Sequence, residues 1–234
     1  MFRKINRSKV SQEKTYTYSG LAFLIFPSLI EQLTGEDYRS YMRSHFYDPL
    51  GADNLGYLPT QRLPDKRVVP TERDSLFRKT LTKGYVHDEN ASLFGGISGN
   101  AGLFSNASGV YKMLQMWLQG GSVGVRKYLS PETIAAFTAL QYPENNNRRG
   151  LGFDKPLLGN DSLPASKSYP APSVSPESYG HSGFTGTFVW VDPTHELIYI
   201  FLSNRVYPSR TQRGIYTINI RETVQEAIYK GLGI

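Results

Sequence analysis

Cysteine is absent from this 234-residue chain. That excludes disulfide staples, thiolate nucleophiles and cysteine-held zinc, and it leaves the redox compartment open. Long hydrophobic runs are absent too. The longest, Leu21 to Phe26, halts at Pro27, far short of the ~20 residues needed to cross a bilayer. The start, Met1-Phe2-Arg3-Lys4, is basic, but polar residues follow it without a small-residue cleavage site. The chain is therefore expected to be soluble and to carry no export signal of its own. Neither sign of charge dominates: Lys and Arg total 26 against 20 Asp and Glu, a formal net charge of +6. The basic residues are scattered, which argues against a nucleic-acid partner. Three chemical signatures are also missing: the zinc-binding H-E-x-x-H, the phosphate-cradling G-x-x-x-x-G-K-[ST], and a G-x-G-x-x-G at a strand-to-helix turn.

What is present is the composition of a globular protein, 39% apolar and 13% aromatic, which excludes disorder as the dominant state. A chain this long buries about 70% of the surface its unfolded form exposes, enough for a core without staples. Residues 1–17 are polar and basic and read as an arm, with one α/β unit expected over 18–234. Tyr18 to Leu33 reads as helix, kinked or bounded at Pro27 and stopped by Thr34-Gly35. Glu36 to Phe46 reads as a second, shorter helix. Residues 52–92, with Pro59, Pro64 and Pro70, read as an irregular excursion. A glycine-dense stretch over 93–105 then leads into a helix whose Val110, Met113, Leu114, Trp117 and Leu118 form one apolar stripe. Ser130 and Pro131 suit the cap and first turn of a helix running to about Leu140.

Residues 156–178 are rich in Pro and Ser and read as loop. The strongest strand signal follows: Gly183 to Val191 and Leu197 to Ser203, joined by a turn over 192–196. Both runs are apolar on both faces, as when helices cover both sides of a sheet. The closing helix is expected to bury a stripe of Ile220, Val224, Ala227, Ile228 and Leu232. Fold class is thus α/β (α+β), an antiparallel sheet flanked by helices on both faces.

Few residues offer chemistry. His87-Asp88-Glu89 brings together metal-ligand types, but consecutive residues rarely converge on one ion, so no metal is expected. Gly180-His181-Ser182-Gly183 nears a nucleophile elbow but has Phe184 where that motif requires glycine. More informative are two separated elements, Tyr18-Ser19-Gly20 before an apolar helix and His181-Ser182-Gly183 before a buried strand, Phe184-Thr185-Gly186-Thr187-Phe188. Polar side chains and backbone N–H groups at a strand's edge are what acyl transfer needs to stabilise an oxyanion. A tyrosine held near cationic groups can relay protons. The bland alternative is a capping tyrosine and a turn histidine.

These elements resemble a known family. Tyr18-Ser19-Gly20 is similar to the Tyr-x-Asn element of serine β-lactamases and penicillin-binding proteins, especially the class C and D,D-peptidase branch. His181-Ser182-Gly183 is similar to its Lys-Thr-Gly element in the His-x-Gly form. Val86-His87-Asp88-Glu89-Asn90-Ala91, Gly99-Asn100-Ala101-Gly102-Leu103-Phe104-Ser105 and Phe201-Leu202-Ser203-Asn204-Arg205 resemble spacer segments of the same branch. The likeness extends to β-lactamase-like domains behind family-three glycoside hydrolases (N-acetylhexosaminidases). It implies a serine hydrolase acting through an acyl-enzyme on an ester or amide, with peptidoglycan peptides as substrate, no cofactor and a periplasmic location. Tyr18 and His181 would be catalytic and face one groove. Gly20, Ser182, Gly183, Phe184 and Thr185 would meet substrate, with the Phe184 N–H as half of an oxyanion hole.

The sequence departs from that pattern in two places. Ser11-Gln12-Glu13-Lys14 matches Ser-x-x-Lys as a string, yet it lies four residues before Tyr18, in a polar arm with nothing to hold attack geometry. The nucleophile element, with the N-terminal part of the family fold, is expected to be absent and the chain inactive. Gly20 also stands where the family places an asparagine for the substrate amide. A non-catalytic module that binds cell-wall peptides or a glycosidase partner is the competing expectation. An open sheet edge and an apolar patch under the first helix would favour a homodimer or another partner.

Overall fold

The computed structural model describes residues 2–9, 12 and 16–234, so Ser11 and Lys14 lie outside the described residues. Two compact units divide the chain, residues 1–105 and residues 106–234. Among the described residues, no helix is long and apolar enough to cross a membrane.

The first unit opens with α1 (Phe2–Asn6). A 3-10 turn, Ala22–Leu24, leads into α2 (Phe26–Thr34). Pro27 falls in the first turn of α2, where its missing N–H costs nothing, and left-handed Gly35 closes the helix by donating to the Glu31 carbonyl. The boundary expected near Pro27 falls at Ile25, between the 3-10 turn and α2, and residues 18–21 lie outside any helix. Next comes α3 (Tyr38–Met42), capped by the Asp37 carboxylate, which accepts from the Ser40 amide; a π-helical turn, Arg43–Tyr47, continues it.

Residues 52–92 correct the sequence reading, because they are not irregular throughout. They contain the antiparallel pair β1 (Pro70–Asp74) and β2 (Thr80–Lys83), then α4 (Glu89–Leu93). Polar strands such as Thr-Glu-Arg-Asp carry no apolar alternation to betray them. The hairpin is built instead on Asp74, whose carboxylate accepts the backbone N–H groups of Leu76, Phe77 and Arg78. His87, Asp88 and Glu89 diverge. His87 pairs with buried Glu72 at 2.7 Å, Asp88 caps α4 by accepting from the Ala91 amide, and Glu89 starts the helix.

Glycine density over 93–105 has a steric cause. A Cβ on Gly99 would stand 2.3 Å from the Phe23 carbonyl oxygen, so only glycine lets this backbone ride on the 3-10 turn. Gly56 and Phe104 exchange two backbone hydrogen bonds that pin the end of the segment.

The second unit holds α5 (Ala107–Leu118), capped by Asn106, a short hairpin of β3 (Ser122–Val123) and β4 (Arg126–Lys127), and α6 (Pro131–Thr138), capped by Ser130. Its sheet runs β5 (Tyr179–Ser182), β6 (Phe188–Asp192), β7 (Leu197–Phe201) in that order, all antiparallel. Then follow α7 (Gly214–Thr217) and α8 (Ile220–Gly231). One face of the sheet sets Tyr179 and Val191 against Leu114, Val110 and Trp117 of α5. The other sets Phe188, Trp190 and Tyr199 against Tyr229 of α8. The expected sheet with helices on both faces is what the chain forms.

Two expectations about these elements fail. Gly183 to Val191 is not one buried strand: β6 starts at Phe188, residues 183–187 turn, and Phe184 is 58% exposed. His181 and Ser182 do not precede a strand but end β5. The closing helix, moreover, is turned away from its expected stripe, of which Val224 packs against the Phe188–Trp190 cluster. Arg221, Glu222, Gln225, Glu226 and Tyr229 point inward, while Ile228 and Leu232 are exposed. Loop 156–178 explains this inversion. Its amides lack strand partners and must find acceptors, and α8 supplies them: Gln225 accepts from Ala171 and Glu226 from Ser173. Arg221 lies over the Phe188 ring, so its charge is buried against an aromatic face.

Candidate active site

Strand β5 alternates its side chains, placing His181 on the Tyr179 side and Ser182 on the other. The Tyr169 phenol donates to Asp154 Oδ2 at 2.8 Å, and burial, then the carboxylate, push it well above the usual tyrosine range. Asp154 is itself fixed to the strand by two backbone hydrogen bonds with Gly180. Arg149 pairs with Asp154 and reaches His181 Nε2 at 3.0 Å, while Arg148 covers the Tyr169 ring at 4.6 Å. His181 Nδ1 lies 2.8 Å from the Ser182 carbonyl oxygen.

Gly183 and Phe184 begin the turn between β5 and β6. The Gly183 amide donates to the Thr187 carbonyl and the Gly186 amide to that of Gly183. Gly186 has φ +110°, and a Cβ there would meet Ser203 Oγ at 2.4 Å, so glycine is required. Three consecutive carbonyls are taken by one short segment. Phe184 O accepts from Arg205 Nε at 2.8 Å, Thr185 O from the Arg205 amide at 2.9 Å, and Gly186 O from Ser203 Oγ at 2.7 Å. The Arg205 guanidinium also lies 4.4 Å from the centre of the Phe184 ring and 5.1 Å from that of Tyr216. This clamp orients the turn's peptide planes.

Tyr18 and Gly20 belong to the first unit. Tyr18 is 65% exposed, and Ser19 Oγ accepts from the Leu21 amide. A Cβ added to Gly20 would stand 3.5 Å from Asn100 Nδ2. Asn100 Oδ1 accepts from buried Ser98 at 2.8 Å, so its amide donors are the end turned toward other partners. His181, Ser182, Gly183, Phe184 and Thr185 thus form one cluster in the second unit, and Tyr18 and Gly20 sit together in the first. Sequence reasoning missed Arg149, Asp154, Tyr169 and Arg205. They lie 12 to 32 residues from His181 through chain that follows no period, so only folding reveals them.

The sequence matches the Beta-lactamase family over residues 3–221. It is 30% identical over 202 residues to a protein of Escherichia coli (strain K12) provisionally named a D-alanyl-D-alanine carboxypeptidase, and 32% identical to its namesake in Salmonella gallinarum (strain 287/91 / NCTC 13346). Each alignment covers 81% of this chain and 45% of the relative, so the chain spans about half the length of the curated relatives it matches. A β-lactamase from Mycobacterium bovis superposes with a TM-score of 0.60 at 17% identity, over 93% of this chain and 64% of that one. A penicillin-binding protein homologue from Caulobacter crescentus gives 0.53 at 17%, over 85% and 55%. At those identities the likeness is one of fold. The sequence match, spanning nearly every element described above, shows that this chain belongs to the β-lactamase-like serine hydrolase family, with D-alanyl-D-alanine carboxypeptidase-like proteins among its homologues.

Proposed function

We propose that this chain is the C-terminal part of a β-lactamase/penicillin-binding-protein-like hydrolase that cleaves an ester or amide of peptidoglycan peptides through an acyl-enzyme. The observation that carries the reading is the clamped turn beside the His181-Ser182 strand end. Preorganised N–H groups, fixed before charge develops, are the main source of oxyanion stabilisation, and the Phe184 amide is assigned that task. Tyr18 takes part in the proton relay, with Ser182, Gly183 and Thr185 against the substrate. Beside Gly20, the Asn100 carboxamide supplies the amide-binding group that residue 20 lacks. This reading does not take Ser11-Gln12-Glu13-Lys14 as the nucleophile element, because it stands only four residues before Tyr18. The same reading places the domain in the periplasm, behind a family-three glycoside hydrolase, by motif likeness. The relatives' provisional names support the substrate class.

The experiment is turnover of nitrocefin and a p-nitrophenyl ester by the chain as it stands. None above buffer is expected, whereas robust turnover abolished by Ser11→Ala would overturn the assignment. Glycine at position 20, in the family's asparagine place, favours a second reading, a non-catalytic module for cell-wall peptides. The upstream reading frame separates them: an in-frame Ser-x-x-Lys supports the hydrolase, and its absence supports the module.

A further inference from the structure

We infer that Arg149 is a positioning residue that fixes His181 as its Nδ1–H tautomer, with the Nε2 lone pair bound to the guanidinium. The inference rests on the proposed function only for why His181 matters, not for the tautomer itself. Arg149 Nη2 stands 3.0 Å from His181 Nε2. A guanidinium has donors only and keeps its charge throughout the working pH range, so Nε2 must accept and carries no proton. At the other end of the ring, Nδ1 lies 2.8 Å from the Ser182 carbonyl oxygen. A carbonyl only accepts, so Nδ1 must hold the proton. A donor-only and an acceptor-only partner bracket the imidazole and dictate the same form. Turning the ring over would set carbon atoms against both partners and lose both bonds, which settles the ring orientation as well.

Arg149 is held rigidly enough to enforce this. Its side chain is 14% exposed and pairs with Asp154, which in turn accepts from Tyr169 and is laddered to Gly180, the neighbour of His181. Arg148 adds a second cation, 3.5 Å from Asp154. Arg149 and Arg148, both paired with Asp154, thus gather charge at this strand end. Two consequences follow for chemistry at this strand end. Nε2 cannot hold a proton and Arg149 together, so His181 passes no proton from Nε2 while the guanidinium stays. The positive charge beside His181-Ser182-Gly183 then belongs to Arg149.

The test is long-range proton–nitrogen correlation on the 15N-labelled chain. His181→Gln identifies the signals by removing one of the four imidazoles. An unprotonated Nε2 and a protonated Nδ1 are expected. Arg149→Lys keeps a donor-only cation and is expected to retain that pattern. Arg149→Met should move the ring to the Nε2–H form that imidazole prefers in water, so that the two nitrogen signals exchange character. An Nε2–H ring in the unsubstituted chain overturns the inference, as does an unchanged ring in a folded Arg149→Met variant. Should Arg149→Met fail to fold, the spectrum of the unsubstituted chain decides alone. Failure of ester hydrolysis in a longer parent protein would sink the proposed function and leave this tautomer standing.

Discussion

Lys155, next to the Asp154 that anchors Arg149, is an ammonium group only 5% exposed. Its Nζ donates to the Glu177 carbonyl at 2.7 Å. Burial pushes it down to about 8, with Glu177 and Asp192 pulling back in part. A lysine unfolds to a value near 10.4, so between about pH 8 and 10 the unfolded chain binds more protons than the folded one. By linkage this group's contribution to stability must rise across that window, and its cost is fully present below it. The size is on the order of 1–2 kcal/mol once solvent screening is allowed for. Buried tyrosines raised by burial, Tyr169 and Tyr179 among them, pull the net slope the other way near pH 10, so the test is a difference: between pH 7.5 and pH 10 denaturant melts should show a more positive stability change in the native chain than in Lys155→Met, and equal pH slopes in the two proteins would refute it. Asp74 shows the opposite sign. Burial opposes its charge, but three backbone N–H bonds and Arg78 outweigh that and hold the carboxyl well below the usual range. Its contribution is complete above the ordinary carboxylate range and fades as pH falls toward the folded value. Asp74→Asn is therefore expected to cost on the order of 2 kcal/mol at pH 7, measured by urea unfolding, and much less in acid.

At the scale of elements, the turn between β5 and β6 is held by residues 203–205 as well as by its own Gly183–Thr187 and Gly186–Gly183 hydrogen bonds. Arg205→Leu removes the Nε bond to Phe184 O, the bonds from Nη1 to the Arg210 and Gln212 carbonyls, and the stacking on Phe184. A loss of about 1–2 kcal/mol of local stability should raise amide exchange at residues 184–186 by roughly tenfold or more. Exchange unchanged within twofold would show that the clamp does not hold the turn. The same element marks where sequence reading ends. Helix caps at Ser130 and Gly35, the α5 stripe and the β6–β7 hairpin were legible because each is written in local spacing. β1 and β2 were not, since a buried aspartate rather than apolar alternation builds their turn. The α8 stripe misled for a related reason: periodicity finds the apolar face, but the neighbouring loop needed acceptors, so the polar face won. In the candidate site, the local string His181-Ser182-Gly183 draws attention by itself, while Arg149, which touches His181, and Asp154, which pairs with Arg149, are brought there only by folding.

At the scale of the whole chain, what matters is apolar surface left uncovered. Helix α2 has no buried residue, and Leu33 on it is 76% exposed, Leu29 40%. In the second unit, β7 is hydrogen-bonded to β6 alone among the described residues, and Leu232 beyond α8 is 58% exposed. An unpaired strand edge and exposed leucines favour pairing with another chain, and a second copy of this chain is always available at high concentration. Each fully buried leucine is worth about 1.5–3 kcal/mol, so a contact covering two or three of them gives measurable association after the cost of bringing two chains together. Light scattering across a hundredfold concentration range should therefore show the mean mass rising. Leu33→Glu, which places a charge on α2 at a site with no buried contacts to lose, is expected to weaken that rise without lowering the melting temperature. If the unsubstituted chain stays at one protomer's mass throughout, these faces do not associate with copies of themselves, and the expectation of a homodimer falls with them.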